Sequence, residues 1–175
     1  LTDFVIMVDK TSHMFVTGPN VCKAALDEDV TEEELGGAQT HSSISGVAHF
    51  LVPDEQQCFH TIRQILSYLP ASNIAAVPVA ETKDRPDRIV EELLDLVPVD
   101  TNISYDMKDV IRLIFDTDSF LEVQPLFAPN IVVGFARLDG HSVGIIASQP
   151  RYMAGCIDIN ASDKAARFVR FCDAF

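Results

Sequence analysis

The sequence predicts an α/β domain with mixed connections, and three observations carry that prediction. Apolar, β-branched runs of strand length recur at Phe4 to Val8, Val47 to Val52, Ile131 to Leu138 and Ser142 to Ala147. Between them lie stretches with helical spacing, opened by capping residues and closed by Gly or Pro. The dipeptide Asp139-Gly140 joins the last two strands, and Asp-Gly supplies the positive φ angles that a tight hairpin requires. The stretch from Ile131 to Met153 organises the rest. Its returning strand runs into the polar loop Ser148-Gln149-Pro150-Arg151, and loops beyond the carboxyl ends of strands are where α/β folds bind ligands. An ordinary strand-to-helix connection fits the same pattern equally well.

Taken in order, the first strand is followed by a turn at Lys10 to Ser12 and an extended piece at His13 to Thr17. Gly18-Pro19 stops that piece and opens a helix over Asn20 to Leu26, with Pro19 suited to the first turn. Thr31 caps a short helix whose opening glutamates, Glu32 to Glu34, complement the macrodipole; Gly36-Gly37 ends it. Ala38 to Gly46 is small and polar, and is expected as an exposed loop wrapping a site wall. After the strand at Val47 to Val52, Asp54 caps a helix over Glu55 to Tyr68. Its expected core face is Phe59, Ile62, Ile65, Leu66 and Leu69. The Pro- and charge-rich stretch from residue 71 to 88 reads as a linker or boundary. Asp87 should cap a helix from Arg88 to Leu96, and a second helix, Met107 to Ile114, follows a turn at Tyr105-Asp106. Asp100 and Asp106 are expected to cap backbone. Phe120 to Val123 is extended. The final helix should begin at Asn160 or Ser162 and bury Ala166, Val169, Cys172 and Phe175.

The 175 residues suit one domain or two small ones, and 47% apolar content suffices for a core. A net charge of −13 repels phosphate backbones and argues against nucleic-acid binding. Two local basic clusters, Lys83/Arg85/Arg88 and Lys164/Arg167/Arg170, could still attract an anionic ligand. The four cysteines, Cys22, Cys58, Cys156 and Cys172, form no Cys-x-x-Cys pair. They read as reduced, buried side chains of a cytoplasmic or mitochondrial-matrix protein. No apolar run approaches the roughly 18 residues of a membrane span. The chain opens without Met and inside a strand-like run, and closes inside a helical one, so a fragment of a longer protein is expected.

Catalytic motifs are scarce. None of the five histidines shows metal-ligand spacing. His41 and His49 flank the polar loop and could line a pocket or simply hold structure. No Gly-x-Ser-x-Gly elbow or phosphate loop is present. No carboxylate pair stands out for acid–base work. Thr17-Gly18-Pro19 and Gly36-Gly37-Ala38 could offer backbone N–H groups to an anion, or be plain turns.

Four segments resemble a known family: Phe15 to Ala25 (FVTGPNVCKAA), Val30 to Phe50 (VTEEELGGAQTHSSISGVAHF), Phe127 to Pro150 (FAPNIVVGFARLDGHSVGIIASQP) and Met153 to Phe175 (MAGCIDINASDKAARFVRFCDAF). They are similar to the carboxyltransferase β subunits of biotin-dependent acyl-CoA carboxylases. Members include the propionyl-CoA carboxylase β, methylmalonyl-CoA carboxyltransferase and methylmalonyl-CoA decarboxylase α types. The resemblance implies a crotonase-like ββα spiral and parts of two subdomains: residues 1–98 from the acyl-CoA subdomain and 99–175 from the carboxybiotin subdomain. It implies carboxyl transfer between biotin, borne on a partner carrier domain, and the α-carbon of a coenzyme A thioester. It also implies a biotin carboxylase/biotin carrier partner and a dimer-based hexamer.

In that chemistry negative charge develops on the thioester enolate and on the biotin ureido oxygen, and backbone N–H groups at helix N-termini stabilise both. No acid–base dyad is then required. The resemblance places the family's oxyanion turns outside residues 1–175, so no catalytic residue is expected in this chain. Pocket-wall residues are expected at Thr17, Gly18, Pro19, Gly36, Gly37, Ser148, Gln149 and Pro150, and no metal. Two alternatives stand beside the carboxyltransferase: a decarboxylase of the same family and a truncated, non-catalytic scaffold.

Overall fold

The computed structural model describes residues 2–100 and 102–175. They form two compact units, one holding the chain up to Arg63 together with Gln124–Phe127, the other holding Gln64–Val123 and Ala128–Phe175.

In the first unit, β1 (Ile6–Val8) pairs in parallel with β2 (Phe50–Val52), Met7 opposite Leu51. A parallel pair needs a crossover, and α1 (Pro19–Leu26), α2 (Glu32–Gly36) and α3 (Ala38–Ser43) supply it. Met7, Ala38 and Ala48 form the small core, with Val5 and Leu51 against it. The cap expected at Thr31 is present as a full capping box: Thr31 Oγ1 accepts from Glu34 N while the Glu34 carboxylate accepts from Thr31 N at 2.9 Å. Pro19 occupies the first turn of α1.

Two expectations in this unit fail. His13 to Thr17 is not a strand; it makes an isolated bridge from His13 to Gly37, and Phe15 and Val16 stay exposed. Ala38 to Ser43 is helix rather than loop, with Ala38 and Ser42 buried. The small side chains there allow a close approach to Met7 and Ala48, and burial outweighs a weak local propensity.

α4 (Glu55–Tyr68) starts where expected, and Asp54 Oδ1 accepts from Gln57 N at 2.7 Å. Its buried residues are Thr61, Ile65 and Tyr68, while Phe59, Ile62 and Leu66 are exposed. The helix therefore keeps an unburied apolar stripe beside its core face.

In the second unit, β3 (Leu121–Val123), β4 (Ile131–Leu138) and β5 (His141–Ser148) form an antiparallel sheet in that order. Ile131 to Ala136 are all buried, so β4 is covered on both faces. The hairpin turn is as predicted, with Asp139 at φ 52° and Gly140 at φ 77°. The buried Asp116 carboxylate fastens it, accepting from Asp139 N at 3.1 Å and Gly140 N at 2.7 Å. Ile111 of α6 (Met107–Ile114) packs on Val132, Ala136 and Ile145. Phe135 meets Tyr68, Phe168 and Phe171 at centroid distances of 5.6, 5.1 and 5.9 Å.

The helix expected over Arg88 to Leu96 is only the turn α5 (Leu93–Leu96). Asp87, its expected cap, pairs with Arg85, and the Arg88 guanidinium is drawn to the carbonyls of Leu113, Ile114 and Phe115. Those contacts consume the groups that would start a helix. Arg88 also pairs with Asp84, so the first basic cluster is largely neutralised.

The last helix, α7 (Ile159–Ala174), begins earlier than expected. Asp158 caps it, accepting from Ala161 N at 2.8 Å. Its buried face is Ala161, Lys164, Phe168 and Phe171, while Val169 and Cys172 are exposed. Packing against Phe135 selects this stripe, because two aromatic rings bury more area than the residues expected there. Lys164 is thereby removed from the second basic cluster. Cys156 is exposed as well, so two of the four cysteines do not pack as small hydrophobes; all four are free. Among the described residues, no helix is long and apolar enough to cross a membrane.

Candidate functional site

The expected site residues fall into one group in each unit. In the first unit, exposed Thr17 and half-buried Gly18 and Pro19 form the entry to α1, where Gly18 O accepts from Val21 N at 3.0 Å. Gly36 and Gly37 are buried at the α2–α3 junction. A side chain on Gly36 would lie 2.3 Å from Met14 O and 2.7 Å from the Phe15 ring. The Phe15 ring also stands 3.6 Å from where a Gly18 Cβ would be, so this one ring meets both turns. The junction's backbone groups are already used: Gly37 N donates to Glu33 O, Met14 N to Gly36 O and His41 N to Gly37 O. The glycines therefore serve close packing, and the Gly37 N–H is not offered to an anion. His41 and His49 are structural. His41 bonds Met14 O and Ser45 Oγ, and buried His49 Nδ1 accepts from Val5 N at 3.1 Å.

In the second unit, Ser148, Gln149 and Pro150 lead from β5 into a tight loop. Ser148 is exposed, Pro150 half-buried and Gln149 completely buried. The Gln149 amide is engaged on both sides. Its Oε1 accepts from Met107 N at 3.1 Å, and its Nε2 donates to Asp106 Oδ1 at 2.7 Å. Asp106 caps α6 through Lys108 N at 2.9 Å, and its other oxygen accepts from Arg151 at 2.9 Å. Burial pushes the Asp106 carboxyl up, but bonds from Gln149, the Lys108 amide and Arg151 outweigh that and hold it below the ordinary value.

Beyond Gln149 the loop turns through three consecutive residues with positive φ: Met153 at 50°, Ala154 at 52° and Gly155 at 74°. Two of these carry side chains, each costing about 1–2 kcal/mol in that conformation. Side-chain bonds hold the turn: Ser148 Oγ donates to Gly155 O at 3.3 Å, and buried Asn130 donates to Cys156 O at 2.8 Å and Asp158 Oδ1 at 3.2 Å. The Asp158 carboxyl is lowered, first by the Ala161 amide and then by Asn130. Sequence reasoning named Gln149 and assigned Asp106 a capping role. It missed Asn130 and the closure of Asp106 on Gln149 and Arg151, because these partners lie tens of residues apart. Among the described residues, no cluster of His, Cys, Asp and Glu could hold a metal ion.

Glycine packing at one turn and a buried amide at the other define an α/β protein with tightly held loops. Comparison with known proteins specifies it. The family model described as the carboxyl transferase domain matches residues 1–175, and the chain belongs to that family. It is 55% identical over 175 residues to methylmalonyl-CoA decarboxylase subunit alpha of Veillonella parvula, covering all of this chain and 34% of that protein. It is 49% identical over 175 residues to the human mitochondrial propionyl-CoA carboxylase beta chain, covering all of this chain and 32% of that protein. A structure of transcarboxylase 12S, described as a hexamer assembly with methylmalonyl-coenzyme A bound, superposes with a TM-score of 0.95 at 48% identity. That match covers 99% of this chain and 34% of that one. The chain thus spans about a third of the length of the curated relatives it matches.

Proposed function

We propose that this chain forms part of a biotin-dependent acyl-CoA carboxyltransferase, which moves a carboxyl group between carboxybiotin and the α-carbon of a short acyl-CoA such as propionyl-CoA or methylmalonyl-CoA. The observation that carries this reading is the uninterrupted match to propionyl- and methylmalonyl-CoA proteins over all 175 residues. The TM-score of 0.95 to transcarboxylase 12S supports it independently.

The fold is assigned as a crotonase-like ββα spiral, a reading supported by the order β4, β5, α7. Residues 1–98 are assigned to the acyl-CoA subdomain and 99–175 to the carboxybiotin subdomain. Thr17, Gly18 and Pro19 then form wall on the acyl-CoA side, supported by the buried Gly36–Gly37 junction. Ser148 and Pro150 form wall on the carboxybiotin side, with Gln149 beneath them. The reacting oxyanions would be met by backbone N–H groups of segments outside residues 1–175. The partners are a biotin carboxylase/biotin carrier component and further copies of the subunit in a dimer-based hexamer. The exposed stripe Phe59, Ile62 and Leu66 suits a protein interface.

The 55% identity to a decarboxylase subunit favours one second reading, loss of carbon dioxide from methylmalonyl-CoA through the same biotin site. The test uses the full-length protein. Propionyl-CoA with a carboxylated biotin derivative should give methylmalonyl-CoA, and methylmalonyl-CoA with biotin should give the reverse transfer. A protein inert toward every short acyl-CoA in both directions refutes the proposal.

A further inference from the structure

We propose that Gln149 is a positioning residue that sets the geometry of the Ser148–Gly155 loop for the carboxyl donor. The proposal rests on the function above only for the identity of that ligand. Its carboxamide is fully buried and does more than satisfy the first N–H of α6 at Met107: β5 is already paired to β4, and Asp106 caps α6 through Lys108 N. What the carboxamide adds is a lock on the loop. Oε1 accepts from Met107 N at 3.1 Å and Arg151 N at 3.5 Å, and Nε2 donates to Asp106 at 2.7 Å. The Gln149 main chain donates to Asn130 O at 2.9 Å and accepts from Tyr152 N at 3.1 Å.

Asp106 grips the side chains of both Gln149 and Arg151, so one carboxylate fixes both sides of Pro150. The loop it fixes is exposed at Ser148 and from Arg151 to Ala154, and it carries the left-handed residues Met153, Ala154 and Gly155. A turn in that conformation holds its shape only while its surroundings over-determine it. Two side chains, Gln149 and Arg151, join the loop to the rigid start of α6, and Gln149 is the buried one. Without it the exposed face remains in place but samples several shapes, and a ligand that needs one shape binds more weakly.

Two substitutions test this in the full-length protein. Gln149→Met keeps the length and removes all three side-chain hydrogen bonds. The KM for a free biotin donor should rise about tenfold, as one or two lost buried hydrogen bonds imply, while the KM for acyl-CoA stays within about twofold. Gln149→Glu adds a pH signature. The charged groups facing position 149 are Asp106 on the α6 cap and Arg151 on the loop, with Asp158 behind Asn130. A protonated glutamic acid can donate to Asp106 as the amide does, and an ionised one repels it. The donor KM of Gln149→Glu should therefore approach the wild-type value as pH falls and depart from it as pH rises, a trend that a merely structural residue does not produce. Variants whose two KM values and kcat change together with the folded fraction overturn the proposal, as does a folded Gln149→Met with an unchanged donor KM. Wild-type protein that uses no biotin donor refutes the function instead. Amide exchange then decides the positioning claim: it stands if residues 151–156 exchange at least about tenfold faster in Gln149→Met with α7 unchanged, and it falls if they do not.

Discussion

Lys164 offers the sharpest test of how this structure is held together. It sits on the buried face of α7, 2% exposed, and its Nζ donates to Ile131 O at 2.9 Å and Ala128 O at 3.3 Å. Loss of hydration lowers its pKa to about 8; Glu122 opposes the shift and Lys108 adds to it. Glu122 offers little relief because Lys108 already pairs with it at 2.6 Å. In the unfolded chain a lysine titrates near 10.4. Below about pH 8 both states carry the proton, and the native state bears the full cost of the buried charge. Between about 8 and 10.4 the unfolded chain binds the proton and the native state has released it, so stability rises with pH. The slope approaches about 1.4 kcal/mol per pH unit, and the whole gain is about 3 kcal/mol. Burial raises the pKa values of Tyr68, with Arg137 opposing, and of Cys172, and both changes act in the opposite sense at high pH. The measurement is therefore a difference between wild type and Lys164→Met, in which those contributions cancel. Urea unfolding at pH 7.5 and pH 10 should show the wild type gaining about 2–3 kcal/mol on the variant. Parallel stabilities at the two pH values would refute the claim that this amine is buried as an ion.

Two further substitutions probe the packing. Phe135→Ala removes the ring that meets Tyr68, Phe168 and Phe171; it should cost about 3–5 kcal/mol in chemical unfolding, and a cost below about 1 kcal/mol would mean that β4 and α7 do not share this core. Gly36→Ala places a methyl group 2.3 Å from Met14 O, where backbone must move. It should cost about 1–3 kcal/mol in thermal unfolding and weaken acyl-CoA binding in the full-length protein, whereas Gly18→Ala, with its nearest neighbour at 3.6 Å, should be much milder.

Much of the α/β plan was legible because the signals are local. Thr31 before three glutamates, Asp54, Asp106 and Asp139-Gly140 act on neighbours within a few residues, and each sits where its chemistry demands. The family was legible too, since long collinear segments carry it. The face a helix buries was not. In α7 the residues Ala166, Val169, Cys172 and Phe175 were expected inside, but Phe135 recruited Phe168 and Phe171 instead. In α4, Phe59 and Leu66 have the spacing of a core face and remain exposed.

The sequence alone determined the caps at Thr31, Asp54 and Asp106, the Ile131–Ser148 hairpin and the family the chain joins, because caps, turn dipeptides and alternation store their free energy between near neighbours. The tertiary structure alone decided that Ala38 to Ser43 coils, that Lys164 leaves water, and that Gln149 is clamped rather than displayed. Those outcomes depend on partners such as Met7, Ile131 and Asp106, which lie tens of residues away. The energy of such a contact appears only once the chain has closed the loop between them.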